Sequence, residues 1–180
     1  MPSLLPPPAV ELVLGGARSG KTALALARAE ASGLAPVMVA TAQAFDAEME
    51  ARIAAHRAER DGRWTTVEET RDLLGVLRCE AGAERILMVD CLTLWLSNLL
   101  LAEAEVEAAI EALVAGLSGL AGPVILVSNE VGLGIVPENA LARRFRDLQG
   151  RLNRLVAASA ERVTFVAAGL PLVLKGGERG

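Results

Sequence analysis

Tyrosine is absent from the 180-residue chain, aromatic residues make up only 3% of it, and histidine occurs once. Flat side-chain platforms for stacking unpaired bases are therefore scarce. An excess of positive charge is missing too, because Lys+Arg total 18 against 22 for Asp+Glu, leaving a net charge of -4. With a pI near 5.2 no global field exists to collect phosphate backbones, which excludes a general nucleic-acid binder. The cysteines, Cys79 and Cys91, are too few for a disulfide framework or a four-ligand zinc site. A chain of this length buries a core without such staples, and a cytoplasmic location is expected. Long hydrophobic runs are lacking as well. Cys91 to Ala102 and Val163 to Leu174 fall well short of the ~20 apolar residues that cross a bilayer, and Ser97-Asn98 interrupts the first. The stretch Met1 to Pro8 has no basic region and breaks its apolar residues with Pro6, Pro7 and Pro8, so it reads as neither signal peptide nor membrane span.

What is present is the composition of a compact domain, 52% hydrophobic and 22% charged with a mean hydropathy of +0.39. One domain is expected over residues 1–180, with about 1–8 and 176–180 flexible. Short apolar runs at Val10 to Leu14, Pro36 to Ala40, Ile86 to Val89, Val124 to Val127 and Val163 to Val166 lack period-2 alternation. Strands covered on both faces of a parallel sheet look like this. Between them, helical spacing appears at Thr22 to Ala31, Asp46 to Arg60, Arg71 to Glu80, Glu103 to Leu117 and Pro137 to Ala158. The last is expected to open at Pro137 and to cover the sheet with Leu141, Phe145, Leu148, Leu152 and Leu155. The alternation predicts an α/β fold with a mostly parallel sheet and helices on both faces.

Directly after the first strand, Gly15-Gly16-Ala17-Arg18-Ser19-Gly20-Lys21-Thr22 fits GxxxxGK[ST] and runs into a helix, the context that a P-loop requires. Its glycines let backbone N–H groups curl around phosphate oxygens, Lys21 reaches the β- and γ-phosphates, and Thr22 offers a hydroxyl to Mg²⁺. Ile86 to Asp90 is an apolar strand ending in a carboxylate, the form of the element that holds magnesium beside a P-loop. These residues specify a nucleoside triphosphate with Mg²⁺ and leave the reaction open.

His56 shares one helical face with Phe45, Met49 and Ile53 at roughly 100° per residue. That spacing fits a histidine at the edge of the core, and it also fits an imidazole nitrogen facing a cleft and attacking phosphorus. Cys91 has no basic neighbour in sequence to lower its pKa and reads as a buried structural thiol. Arg143, Arg144 and Arg146 lie off the apolar stripe of their helix and fit either a solvated face or an anion contact. Ser128 to Pro137 follows the carboxyl end of a strand, where ligands bind in open α/β sheets, and fits a binding loop or a plain connection.

Taken together these residues resemble the bifunctional adenosylcobinamide kinase/adenosylcobinamide-phosphate guanylyltransferase family. The resemblance rests on the P-loop, Ala40-Thr41-Ala42-Gln43, the run Asp46 to His56, Trp64, Glu68, Asp90-Cys91-Leu92-Thr93, Asn98-Leu99-Leu100, Asn129 to Asn139, Leu141-Ala142-Arg143, Phe145-Arg146-Asp147, Gly169 and Lys175. It covers nearly the whole chain, and the His56 and Asn129 segments are its most specific parts. The resemblance implies two reactions. A nucleoside triphosphate, ATP or GTP with Mg²⁺, phosphorylates adenosylcobinamide, with Lys21 and the loop amides stabilising the transfer. The histidine matching His56 then takes GMP from GTP and passes it to adenosylcobinamide phosphate, giving adenosylcobinamide-GDP.

The same resemblance carries nucleotide binding onto Thr41, Arg57, Glu68 and Asp90, with Glu68 and Asp90 as contacts to base, ribose or metal. It also implies a homotrimer. Ala55 stands where relatives carry a second histidine, and Asp90 stands where a glutamate is familiar. A simple P-loop kinase and a GTP-dependent switch are the competing readings. The absence of an Asn-Lys-x-Asp run counts against the switch.

Overall fold

A computed structural model of the chain describes residues 6–43 and 62–177. The expected helix Asp46 to Arg60, with His56 and Arg57, lies outside the described residues, as do 1–5 and 178–180. The described chain runs β1 (Val10–Gly15), α1 (Lys21–Ala31), β2 (Ala35–Ala40), β3 (Thr65–Glu68), α2 (Leu73–Glu80), β4 (Arg85–Asp90) and α3 (Leu92–Leu101). It continues through α4 (Val106–Leu117), β5 (Val124–Asn129), α5 (Ala140–Ser159), β6 (Arg162–Ala167) and β7 (Leu170–Lys175).

The strands form a seven-stranded sheet in the order β3-β2-β4-β5-β1-β6-β7. Every neighbouring pair is parallel except β6 and β7, which are antiparallel. The apolar runs that predicted strands are buried on both faces: Leu12, Val13, Val39, Leu87, Met88, Leu126 and Val127 are closed to solvent. Alternate residues feed two cores. Leu12, Leu14, Val39, Leu87, Val89, Val124 and Leu126 pack under α2, α3, α4 and α5, whereas Val13, Met38, Ile86, Met88, Ile125 and Val127 pack under α1. An α/β sheet with helices on both faces is the expected fold.

Several elements differ from the sequence reading. β3 and β7 extend the sheet at its edges, and the apolar run after Asp90 is a helix, α3, with Leu92, Trp95, Leu96 and Leu99 buried. The last helix begins at Ala140 and not at Pro137, because Asn139 caps it, its side-chain oxygen accepting from the Leu141 and Ala142 amides at 2.8 and 3.1 Å. Its sheet-facing stripe is Leu148, Leu152 and Val156, while Leu141 is 51% exposed in the first turn. All parallel strands end at the same edge of the sheet, so Gly15, Ala40, Glu68, Asp90 and Asn129 come together there.

Candidate active site

The loop between β1 and α1 folds back over the sheet, because β1 ends in a residue without a side chain. A Cβ on Gly15 would lie 2.5 Å from both Ser19 Oγ and Val166 O. Ser19 N donates to Gly16 O at 3.3 Å, Arg18 adopts a positive φ of 54°, and Gly20 at φ 96° turns the chain into α1. Lys21, buried at the helix start, donates from Nζ to Gly16 O at 2.8 Å, which holds its ammonium across the mouth of the loop. Gly15 and Ser19 are buried, Gly16 and Thr22 half-buried, and Ala17, Arg18 and Gly20 exposed.

The loop is braced from behind by the β6–β7 hairpin. Ala168 and Gly169, both at positive φ, form its two-residue turn. The Gly169 amide donates to Ser19 O at 2.8 Å, and a Cβ on Gly20 would stand 3.2 Å from the Gly169 Cα. Two glycines thus allow the turn and the loop to touch.

On the other side of β1, register places Asn129 of β5 beside Gly15, and Asp90 of β4 beside Val127. Asp90 and Asn129 follow Met88 and Val127 on the α1 face, the face over which the loop folds. Alternation from Val67 puts Glu68 on that face as well, exposed at the end of β3. The Lys21 charge reaches Cys91, next to Asp90, and favours its thiolate slightly. Burial dominates, and with the neighbouring Asp90 carboxylate it pushes the thiol up to about 11. Cys91 is therefore a neutral buried thiol, as its sequence context suggested.

Thr41 is fully buried. Its hydroxyl donates to Cys91 O at 2.7 Å and accepts from Cys91 N at 2.9 Å, which ties the end of β2 to the end of β4. Asn98 of α3 donates to Thr41 O at 2.8 Å and to Thr70 O at 3.1 Å. The Asn129 backbone is fixed in the same way, its N–H donating to Thr93 Oγ1 at 2.8 Å and its carbonyl accepting from Asn153 Nδ2 at 3.0 Å. Asn153 Oδ1 in turn accepts from Ser128 Oγ at 2.6 Å and Gln149 Nε2 at 2.9 Å. Sequence reasoning placed none of Thr93, Asn98, Gln149 and Asn153 in this framework.

Of the expected site residues, Gly15 to Thr22, Thr41, Glu68 and Asp90 gather at one edge, whereas His56 and Arg57 lie outside the described residues. The arginines separate. Arg143 Nη1 donates to Pro137 O at 3.0 Å and Glu138 O at 2.6 Å, fastening the loop before α5, while Arg144 and Arg146 pair with Glu107 and Asp147. Among the described residues no group of three or more His, Cys, Asp or Glu side chains could hold a metal. Thr22 and Asp90 nevertheless fit Mg²⁺, which typically takes one or two protein oxygens and completes its shell with phosphates and water.

A family sequence model described as cobinamide kinase/cobinamide phosphate guanyltransferase matches residues 11–174. A bifunctional adenosylcobalamin biosynthesis protein, CobP of Pseudomonas aeruginosa, is 54% identical over 92% of this chain and 97% of its own length. The bifunctional adenosylcobalamin biosynthesis protein CobU of Escherichia coli is 37% identical over 91% of this chain and 98% of its own. Among solved structures, a prototypical ATPase from the type III secretion system of pathogenic bacteria superposes with a TM-score of 0.57 at 11% identity, covering 91% of this chain and 56% of that one. That likeness is one of fold. Among the described residues no helix is long and apolar enough to cross a membrane.

Proposed function

Because this chain belongs to the cobinamide kinase/cobinamide phosphate guanyltransferase family, whose members are bifunctional kinases and nucleotidyltransferases of cobalamin biosynthesis, we propose that both reactions use the one P-loop edge. The observation that carries this reading is the loop Gly15 to Thr22 folded over the carboxyl end of β1, with Lys21 buried beneath it and Asp90 close by on the same face. The loop amides and Lys21 bind the triphosphate of ATP or GTP and neutralise charge on the transferring phosphoryl group. Thr22 and Asp90 would hold Mg²⁺, which when bound neutralises phosphate charge. In the kinase step the hydroxyl of adenosylcobinamide bonds to the γ-phosphorus, and the nucleoside diphosphate leaves with the electron pair of the broken P–O bond.

For the second step His56 is the nucleophile, supported by its being the sole histidine of the chain and by the family resemblance. Its neutral imidazole nitrogen bonds to the α-phosphorus of GTP, pyrophosphate leaves, and the resulting phosphoramidate passes GMP to adenosylcobinamide phosphate. Arg57, Glu68 and Asp90 serve the nucleotide as the resemblance implies. Thr41 acts at one remove, through the Cys91 backbone that its hydroxyl holds. A homotrimer in the cytoplasm completes the reading, and the mass in solution tests the assembly.

Intact-protein mass spectrometry after incubation with GTP and Mg²⁺ tests the histidine. The expected result is a GMP-sized mass gain in wild type that His56→Ala abolishes. Bound GTP without an adduct in wild type would leave a kinase that does not use His56 covalently.

A further inference from the structure

Among the described residues, three buried side-chain polar atoms have no hydrogen-bond partner: Ser19 Oγ, Asn129 Oδ1 and Gln149 Oε1. Ser19 belongs to the phosphate loop, where a hydroxyl can serve a phosphate oxygen as donor. Gln149 lies on α5 and bonds Ser128, on the sheet face away from the loop. Asn129 is different. It stands at the end of β5, side by side with Gly15, and its side chain follows Ile125 and Val127 onto the face that carries the P-loop and Asp90.

Hydrogen bonds fix the Asn129 backbone on both sides, while its buried side-chain Oδ1 has no partner. Thr93 Oγ1 holds its N–H, Asn153 holds its carbonyl, and the next amide, Glu130 N, donates to Gly15 O at 3.1 Å. Its backbone is thus tied to α3, to α5 and to the residue from which the phosphate loop departs. An amide oxygen only accepts, so the partner it lacks is a donor. Phosphate oxygens at neutral pH are acceptors and do not meet that need. A hydroxyl does.

We infer that Asn129 Oδ1 accepts the hydrogen bond of the hydroxyl that attacks the γ-phosphorus, and thereby aims the oxygen lone pair during the kinase step. The inference rests on the kinase reading above. Oxygen–phosphorus bond formation and cleavage of the bond to the β-phosphate proceed as in that step. An amide cannot keep the proton, so it leaves late, to solvent water, as the acceptor oxygen loses electron density to phosphorus. Asn129 orients the nucleophile and does not act as its base.

The test compares wild type, Asn129→Ala and Asn129→Asp in steady-state phosphorylation of adenosylcobinamide, with nucleotide affinity measured separately using a non-hydrolysable ATP analogue. Asn129→Ala is expected to lower kcat on the order of 10²-fold, the scale of a lost orienting contact. Nucleotide affinity should stay the same. Asn129→Asp, which keeps an acceptor oxygen in place, is expected to recover most of the lost kcat. Thermal unfolding should not weaken in Asn129→Ala, since the hydrogen bonds that fix this residue are made by its backbone.

An unchanged kcat in Asn129→Ala, with wild type active, would overturn the assignment alone. A fall in nucleotide affinity that accounts for the loss, greatest in Asn129→Asp, would make the residue a phosphate contact and overturn it as well. A lowered unfolding temperature with the loss of kcat unrescued by Asp would reduce Asn129 to a structural role. No phosphorylation by wild type would overturn the kinase reading and the assignment with it.

Discussion

Replacing Thr41 by valine separates a residue that touches nucleotide from one that holds the site's frame. The side chains are nearly the same size, so the change removes a hydroxyl and leaves little cavity. That hydroxyl is fully buried and makes both a 2.7 Å bond to Cys91 O and a 2.9 Å bond from Cys91 N. In the valine variant both Cys91 backbone groups lose this partner inside the protein. Cys91 O keeps the bond that it accepts from Trp95 N at 3.2 Å, so the Cys91 N–H alone is left unsatisfied. A buried polar group in that state costs about 1–3 kcal/mol.

Against a stability of about 5–15 kcal/mol for a domain this is a large fraction. For a chain of this length it lowers Tm by on the order of 5 °C. Urea unfolding is the assay, with Thr41→Ser as the variant that keeps the hydroxyl. The expected result is a reduced midpoint at constant slope for valine and a smaller change for serine. A loss below about 1 kcal/mol for Thr41→Val would refute the reasoning, since it would mean that the Cys91 N–H finds another partner at little cost. Weakened nucleotide binding at unchanged stability would instead make Thr41 a direct ligand.

Glu11, almost fully buried in β1 and paired with Arg28, has its carboxyl raised above the ordinary 4.5 by burial, which outweighs the attraction of Arg28 and Arg162. The folded state therefore holds this proton at pH values where the unfolded state has released it, so stability falls as pH rises from 4.5 through the raised value. Glu11→Gln is expected to flatten that slope, and urea midpoints measured over this range check it; an unchanged slope would exclude Glu11 as its source. The cysteines should divide under native alkylation with iodoacetamide. Exposed Cys79 is expected to react while Cys91, neutral and buried, does so only after unfolding, so a mass corresponding to two adducts on the native protein would contradict the burial of Cys91.

The sequence disclosed the elements whose burial leaves a pattern. Central strands are covered on both faces and read as unbroken apolar runs such as Leu12 to Leu14 and Leu87 to Val89. At the margins that signal fades. β3 is Thr65-Thr66-Val67-Glu68 with only Val67 partly buried, and every residue of β7 is exposed, so neither had a buried face to reveal it. Helix α3 failed for the opposite reason, because a helix buried nearly all round has no polar face to set a 3.6-residue period.

The same division holds at the site. The P-loop and the strand-end Asp90 were legible because each is a contiguous stretch whose neighbours supply its context. The framework was not: Thr93 and Asn98 entered only within runs that carry the resemblance, and Gln149 and Asn153 not at all, because each is an ordinary helix residue until the fold sets it against a strand end. Thr41 stood out only through the family resemblance, and its hydroxyl proves to be engaged with Cys91.

Strand ends at the carboxyl edge have run out of ladder partners, and in this protein side chains from other elements take over. Thr41 and Asn98 fix the end of β2, Thr93 and Asn153 fix the end of β5, and the Gly169 amide fixes Ser19 within the phosphate loop. A cradle held this way is pre-organised, and its donors do not have to reorient as charge develops on a bound phosphate. The proposed reactions need attack at two different phosphorus atoms, γ in one and α in the other. A single rigid cradle that binds the triphosphate in one register cannot choose between them. The choice must come from which nucleophile is brought up, a substrate hydroxyl aimed by Asn129 at the γ-phosphorus or the His56 imidazole at the α-phosphorus. Asn129→Ala and His56→Ala should therefore each impair one activity and spare the other, while a Cβ at Gly15, which would collide with Ser19 Oγ and Val166 O at 2.5 Å, should remove both.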